Sequence, residues 1–247
     1  MSRIEEQPCW VLHRRAWRES SLLLELFSEQ FGRIGLVARG ARGARSAWRG
    51  LAEPFVPLSA SWMGRGELGT LTGLEPIGQQ ATLKGRALWC GLYANELLLK
   101  LMARDDAAPT LFTAYGVLIS SLGAGLSQGR ALRRFELELL GALGVVPDLH
   151  CEALTGQPIE PERLYHVQPE TGLVAVAAPG RNVFSGRAAL MLTGQIDDDP
   201  AAAREARTLT RLLIDHQLGG KPLKTRELFA QGQRAEPTGQ PGEFDNE

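Results

Sequence analysis

The sequence predicts an α+β chain in which an N-terminal five-stranded barrel precedes a helical bundle. Two observations carry that reading. As far as Pro76 the chain breaks into short runs of leucine, aromatic and β-branched residues bounded by turn signals, and from Leu83 onward the apolar residues change to a helical period. A third observation narrows it: the longest connection in the first part, Gly40 to Pro54, falls between the third and fourth runs.

The five predicted strands are Pro8 to Arg15, Leu22 to Ser28, Arg33 to Arg39, Phe55 to Met63 and Leu68 to Pro76. "SEQFG" joins the second to the third and "GRGE" the fourth to the fifth, both short and glycine-bearing as hairpin connections are. Five strands with a long link after the third predict a small barrel of the OB type, the fold class that holds single strands in a basic groove with stacking aromatics. The expected barrel domain is residues 1–80.

The segment "LKGRALWCGLYANELLLKLMARDD" spaces Leu88, Leu92, Leu99 and Met102 as one helix face, and Pro109 to Leu122 predicts a second helix. "SQGRALRRFELELLGALG" predicts a third, capped by Ser127, ended at Gly144 and striped by Leu132, Phe135, Leu139 and Leu143. Val145 to about Arg187 loses the period and reads as irregular with a short hairpin, "RLYHVQPETGLVAV". Asp199 and Pro200 supply a cap and first-turn proline for a last long helix that runs to Gly219 and Gly220. The expected helical domain is residues 81–232, with an irregular insertion at 148–190 and a disordered polar tail at 233–247.

Composition fits a globular chain: 247 residues, 44% hydrophobic and 22% charged. Three scattered cysteines, Cys9, Cys90 and Cys151, argue against a disulfide framework. With neither a signal peptide nor a long apolar segment indicated, the expected location is cytoplasmic, with no membrane partner. The formal net charge is −1, yet "GRIGLVARGARGARSAWRG", Gly32 to Gly50, holds five arginines and no acidic residue. Such a cluster is either a solvated face or a phosphate-binding loop. Trp48, set among Arg42, Arg45 and Arg49, either stacks on a base or covers the barrel end.

Enzyme motifs fail on context. A G-x-G-x-x-G pattern at Gly64, Gly66 and Gly69 lies between two strands, whereas a dinucleotide site needs it between strand and helix. "GGKP" lacks both the upstream glycine and the hydroxyl residue of a phosphate loop. His13, His150, His166 and His216 have no nearby acid or nucleophile in the sequence, so the chain is expected to be non-enzymatic and to need no cofactor.

Five segments, "VLHRRAWRESSLLLELFSEQFGRIGLVARGAR", "LAEPFVPLSASWMGRGELGTLTGLE", "LYANELLLKL", "ALRRFELELLGALG" and "LGGKPLKTRELF", resemble in this order the RecO family of bacterial recombination mediators, over residues 8 to about 230. The resemblance implies an OB-fold, a helical domain, binding of single- and double-stranded DNA, strand annealing, and cooperation with RecR in loading RecA onto gaps coated by single-strand binding protein (SSB), in association with the nucleoid. Phosphate contacts are then expected from Arg14, Arg18, Arg33, Arg39, Arg42, Arg45 and Arg49, base stacking from Trp48, and an extension of the basic surface from Lys221, Lys224 and Arg226. A docking site for the SSB C-terminal tail is expected at Arg133, Arg134, Phe135 and Leu139. Many members of the family carry a four-cysteine zinc module where "DLHCEALTGQPIEPERLYHVQPETG" offers Cys151 alone, so this segment is expected to be a degenerate, zinc-finger-like insertion without metal. A protein adaptor built on the same barrel, or an uncharacterised enzyme, are the competing classes.

Overall fold

The computed structural model describes residues 3–44, 46, 48, 50–64, 68–196 and 199–235. Five strands form first: β1 (Arg3–Trp17), β2 (Ser21–Ser28), β3 (Gly32–Ala38), β4 (Pro57–Met63) and β5 (Gly69–Pro76). They close into a barrel in the order β1-β2-β3-β5-β4, all antiparallel except the short β3–β5 contact, which is parallel. This is the strand order of an OB barrel. The ends are close to the sequence prediction, but β1 begins five residues earlier because its N-terminal half pairs with β4 while its C-terminal half pairs with β2.

Alternation along β1 and β2 explains how the barrel meets the rest of the chain. Cys9, Val11, Leu24 and Leu26 point into the barrel core, whereas Trp10, Leu12 and Phe27 belong to the core of the helical domain. A strand pair with both faces buried reads as a near-continuous apolar run, which is how "CWVL" and "LLLELF" look. Burial pushes the Cys9 thiol up to about 12, so it behaves as an inert apolar group.

Helices α1 (Gly85–Leu101), α2 (Pro109–Gly123) and α3 (Gln128–Ala142) receive that outward face. Tyr115 of α2 packs edge-on against Trp10 at 5.4 Å between ring centroids and against Phe27 at 6.4 Å. Its hydroxyl donates to Asn95 Oδ1 at 2.6 Å, and the Asn95 amide donates to the Leu12 carbonyl at 2.9 Å. These two bonds satisfy the buried Tyr115 hydroxyl, the Asn95 amide and the Leu12 carbonyl across the two domains. Beside it, Gly32 adopts φ +62°, and a Cβ placed there would sit 1.9 Å from the Asp106 carbonyl oxygen. Asp105 N–H donates to the Arg33 carbonyl in the same contact.

The segment expected to be irregular is more regular than its sequence implies. Strands β6 (Leu164–Gln168), β7 (Gly172–Val176) and β8 (Val183–Ser185) form a sheet in the order β7-β6-β8, followed by the short helix α4 (Gly186–Leu192). The hairpin was legible, but β8 is three residues long and α4 only seven, too short to show a period. Glu152 organises this sheet: its carboxylate accepts from Thr155 N–H and Oγ1 and from Ala175 N–H.

Asp199 caps α5 (Pro200–Leu218) as expected, accepting from the N–H groups of Ala201 and Ala202, and Gly219 ends the helix in the left-handed region. Ser127, by contrast, occupies the N-cap position of α3 without donating or accepting a side-chain cap bond. A final helix, α6 (Lys224–Ala235), was not expected and enters residues assigned to the tail. Its first turn is capped from α1, where Glu96 accepts from Lys224 N–H, Thr225 N–H and Thr225 Oγ1. Residues 236–247 of the expected tail lie outside the described residues, and among the described residues no helix is long and apolar enough to cross a membrane.

Two outcomes are expected. Gly32→Ala lowers the stability of the whole chain by about 1–3 kcal/mol in thermal or denaturant unfolding, because the methyl group enters the Asp106 backbone and φ is strained. Hydrogen bonds from Thr155, chiefly its hydroxyl, hold the Glu152 carboxyl below its ordinary value of 4.5. Its contribution is therefore complete above that value and lost as pH falls through the lower, folded-state pKa. Glu152→Gln is expected to lower the melting temperature at neutral pH, and the difference from the parent protein to shrink in acid.

Candidate nucleic-acid interface

The register gathers one group of arginines at a single barrel end. Trp17 pairs with Ser21 and Ala38 with Leu22, so Arg18, which follows β1, and Arg39, which follows β3, emerge side by side. Both are exposed. Arg18 takes φ +53° in the β1–β2 turn, which turns its side chain away from the strand line. The Arg42 N–H donates to the Ser20 carbonyl, and its guanidinium donates to the carbonyls of Arg18 and Glu19 at 3.3 and 3.1 Å. Arg42 thus clamps the turn to the long connection. Arg14 reaches the same connection through an ion pair of 2.7 Å with Glu53 and stays partly exposed.

Arg33 departs from the expected phosphate role. Its side chain is 18% exposed and faces Glu25, which it shares with Arg104 of the segment after α1. Burial lowers the Arg33 pKa, Glu25 opposes that and Arg104 adds to it. The side chain is spent on the domain junction. Trp48 is half-buried against the barrel core together with Leu51, which makes it first a cover for the barrel end. Arg45 and Arg49 lie outside the described residues, as does Gly66 of the glycine pattern, whose other members are Gly64, just after β4, and Gly69, the first residue of β5.

A pair that sequence reasoning missed sits at the same end. Arg15 lies over the Trp17 ring at 5.8 Å, and Trp17 is half-buried with the cation stacked on it. The signal was present as the i, i+2 spacing in "RRAW", which places both side chains on one strand face.

On the helical domain, Lys221 and Lys224 are exposed at the α5–α6 turn. Arg226 instead pairs with Asp215 at 2.6 Å. The four residues expected at a peptide site divide sharply. Arg133 is locked to Glu136 through two bonds of 2.5 Å, and Glu136 also accepts from the Tyr93 hydroxyl. Phe135 and Leu139 are 1% and 0% exposed, so they form core, and Phe135 reaches a ligand only as the floor of the groove beside Arg134. Arg134 alone is exposed, at a groove of about 340 Å³ between α2 and α3 whose apolar wall includes the exposed Val117 and Leu126.

The residues of the insertion do not fit a zinc ion. His150 Nδ1 bonds to the Gln195 amide, Glu152 is engaged by Thr155 and Ala175, and among the described residues no three His, Cys, Asp or Glu side chains converge.

Barrel, basic rim and helical bundle together define an OB-fold protein with an auxiliary α-helical domain. Comparison with known proteins gives the family. The model described as "Recombination protein O N terminal" matches residues 1–80, and that described as "Recombination protein O C terminal" matches residues 83–227. Similar curated proteins include the DNA repair protein RecO of Alkalilimnicola ehrlichii, 46% identical over 93% of this chain and 92% of that protein. Those of Methylococcus capsulatus and Erwinia tasmaniensis are 43% and 44% identical, over 92% and 91% of this chain and 94% and 92% of theirs. The chain belongs to the RecO family.

Because Trp48 packs on the barrel core, Trp48→Ala is expected to lower stability by about 1–3 kcal/mol, whereas Arg18→Glu with Arg39→Glu leaves the melting temperature within a degree or so. Differential scanning fluorimetry of the purified variants separates a structural tryptophan from surface arginines.

Proposed function

We propose that this chain is a non-enzymatic, DNA-binding recombination mediator that anneals complementary strands and, with RecR, helps load RecA onto single-stranded DNA coated by SSB. The observation that carries the reading is the barrel end where Arg18 and Arg39 emerge together, braced by Arg42 and flanked by the Arg15–Trp17 stack. Arginine suits this role because its guanidinium makes charge-assisted bonds to phosphate and releases condensed counterions. Single and double strands both present the phosphates that such a rim engages. Trp17, with Arg15 on one face, is the better placed aromatic for stacking on a base, and Trp48 supports the loop beneath.

The SSB tail, an acidic peptide that ends in an aromatic residue and a carboxylate, fits the α2–α3 groove better than the buried α3 stripe. Arg134 supplies the cation, while Val117 and Leu126 supply the apolar contact. Arg133, held by Glu136, acts on this site only through the helix.

Titration of a labelled single strand at several salt concentrations tests the first part. The expected result is a log affinity that falls linearly with log salt, and a shallower slope with affinity reduced at least tenfold for Arg18→Glu with Arg39→Glu. Trp17→Ala is expected to cost about 1–3 kcal/mol of binding. Unchanged affinity in the arginine variant moves DNA to another face. Anisotropy of a labelled SSB-tail peptide tests the second part: Arg134→Ala should weaken it at least tenfold while leaving strand binding at the barrel within a few-fold of the parent value.

A further inference from the structure

A larger basic surface lies on the helical domain, away from the barrel rim. Helices α3 and α5 border a cavity of about 740 Å³ whose walls carry Arg86, Arg130, Arg133, Arg134, Arg204 and Arg207. A second cavity of about 340 Å³ shares Arg86, Gly129, Arg133 and Arg207 with the first and adds Arg211 and Arg226. The shared residues make the two one trough.

Among the described residues its charge is only partly balanced. The carboxylates that line it are Glu138, Asp199 and Glu136. Asp199 caps α5 and also lies in the field of Arg187 and Arg204, and Glu136 holds Arg133 and Tyr93. Asp215, at the far end, pairs with Arg211 and Arg226. Among the described residues no ion pair engages Arg134, Arg204 or Arg207. In a chain of net charge −1 such an excess of cation has an electrostatic cost that a bound polyanion would relieve.

Spacing points to the kind of anion. Arg204, Arg207 and Arg211 recur at i, i+3 and i+7, which sets them on one stripe of α5 over a rise of about 10 Å. The exposed Arg134 of α3 and Arg86 of α1 face them. A polymer with one charge per repeat engages such rows successively, whereas a single terminal carboxylate would use one arginine and leave the others unmatched. Between the rows, Leu137, Met191 and Leu192 offer apolar surface of the kind that covers sugar and base faces.

We propose that this trough is a second binding site for a single strand of nucleic acid, distinct from the barrel rim, so that one molecule holds two strands at once. The inference rests on the reading of the barrel as a DNA-binding face and adds to it the place of the second strand. Two basic faces on one rigid junction would bring complementary strands together while screening their mutual repulsion.

The test uses the full-length chain with Arg204→Glu and Arg207→Glu together, and Arg204→Gln with Arg207→Gln as a milder second variant whose melting temperature verifies the fold. The probe is a labelled oligodeoxythymidine of about 10 nucleotides, within the range a single small barrel accommodates. The expected result is a fall from two oligonucleotides per chain to one, annealing of complementary strands slowed at least tenfold, and the tighter binding step retained within threefold. The weaker step should also lose about 1.4 from its log–log salt slope, for two phosphate contacts removed. Two oligonucleotides still bound, with annealing unchanged, overturns the proposal. Loss of SSB-tail binding with strand stoichiometry unchanged also overturns it, since the trough then serves an acidic peptide. Failure of the barrel reading is a different outcome: Arg18→Glu with Arg39→Glu leaves both binding steps intact, whatever the trough variants do.

Discussion

Everything else in this molecule hangs on one pair of strands buried on both sides. β1 and β2 give one face to the barrel core and the other to α1 and α2, so Trp10, Leu12 and Phe27 cannot be moved without opening both domains. Tyr115 reads both strands at once through its contacts with Trp10 and Phe27, and burial raises its pKa so that the hydroxyl remains a donor to Asn95. Aromatic pairs of this geometry contribute about 0.5–1.5 kcal/mol beyond their burial. The missing Cβ of Gly32 lets the Asp106 backbone close against β3, and Glu25 draws Arg33 and Arg104 together at the same edge. The barrel rim and the helical surface therefore keep a fixed relation.

Arginine serves two opposed purposes along this chain. Where a carboxylate or a row of carbonyls faces it, it acts as a clamp: Arg33 on Glu25, Arg42 on the β1–β2 turn, Arg133 on Glu136, Arg226 on Asp215. Elsewhere it stays exposed, as at Arg18, Arg39, Arg134, Arg204 and Arg207. The clamps shape the surfaces on which the exposed arginines stand. A count of positive residues mixes both groups, and net charge conceals both.

The insertion shows how a small sheet holds together through a carboxylate. Thr155 and Ala175 supply donors to Glu152 from two points separated in sequence, so one side chain ties the turn after Cys151 to β7. Glu96 does the equivalent for α6, where burial pulls its pKa up but the bonds from Thr225 and Lys224 outweigh it and hold the carboxyl low. Both carboxylates accept from backbone N–H groups that would otherwise lack partners.

The sequence by itself determined the barrel, the helices α1, α2, α3 and α5, the cap at Asp199 and the end at Gly219, because period, turn residues and caps are local and each acts within a few positions. It also placed Arg39 in the basic segment Gly32 to Gly50, and family resemblance added Arg18. It could not say which arginines would be spent. Arg33 meets Arg104 across 71 positions, and Lys224 finds Glu96 across 128. Phe135 and Leu139 read as a stripe on α3, but only packing against the other helices decides that such a stripe is wholly enclosed. The cationic trough was invisible for the same reason: Arg86, Arg134 and Arg207 come from three helices far apart in the chain, and only the closing of the bundle makes them neighbours. Local rules write the elements, while electrostatics and burial between distant elements decide which side chains remain free to act.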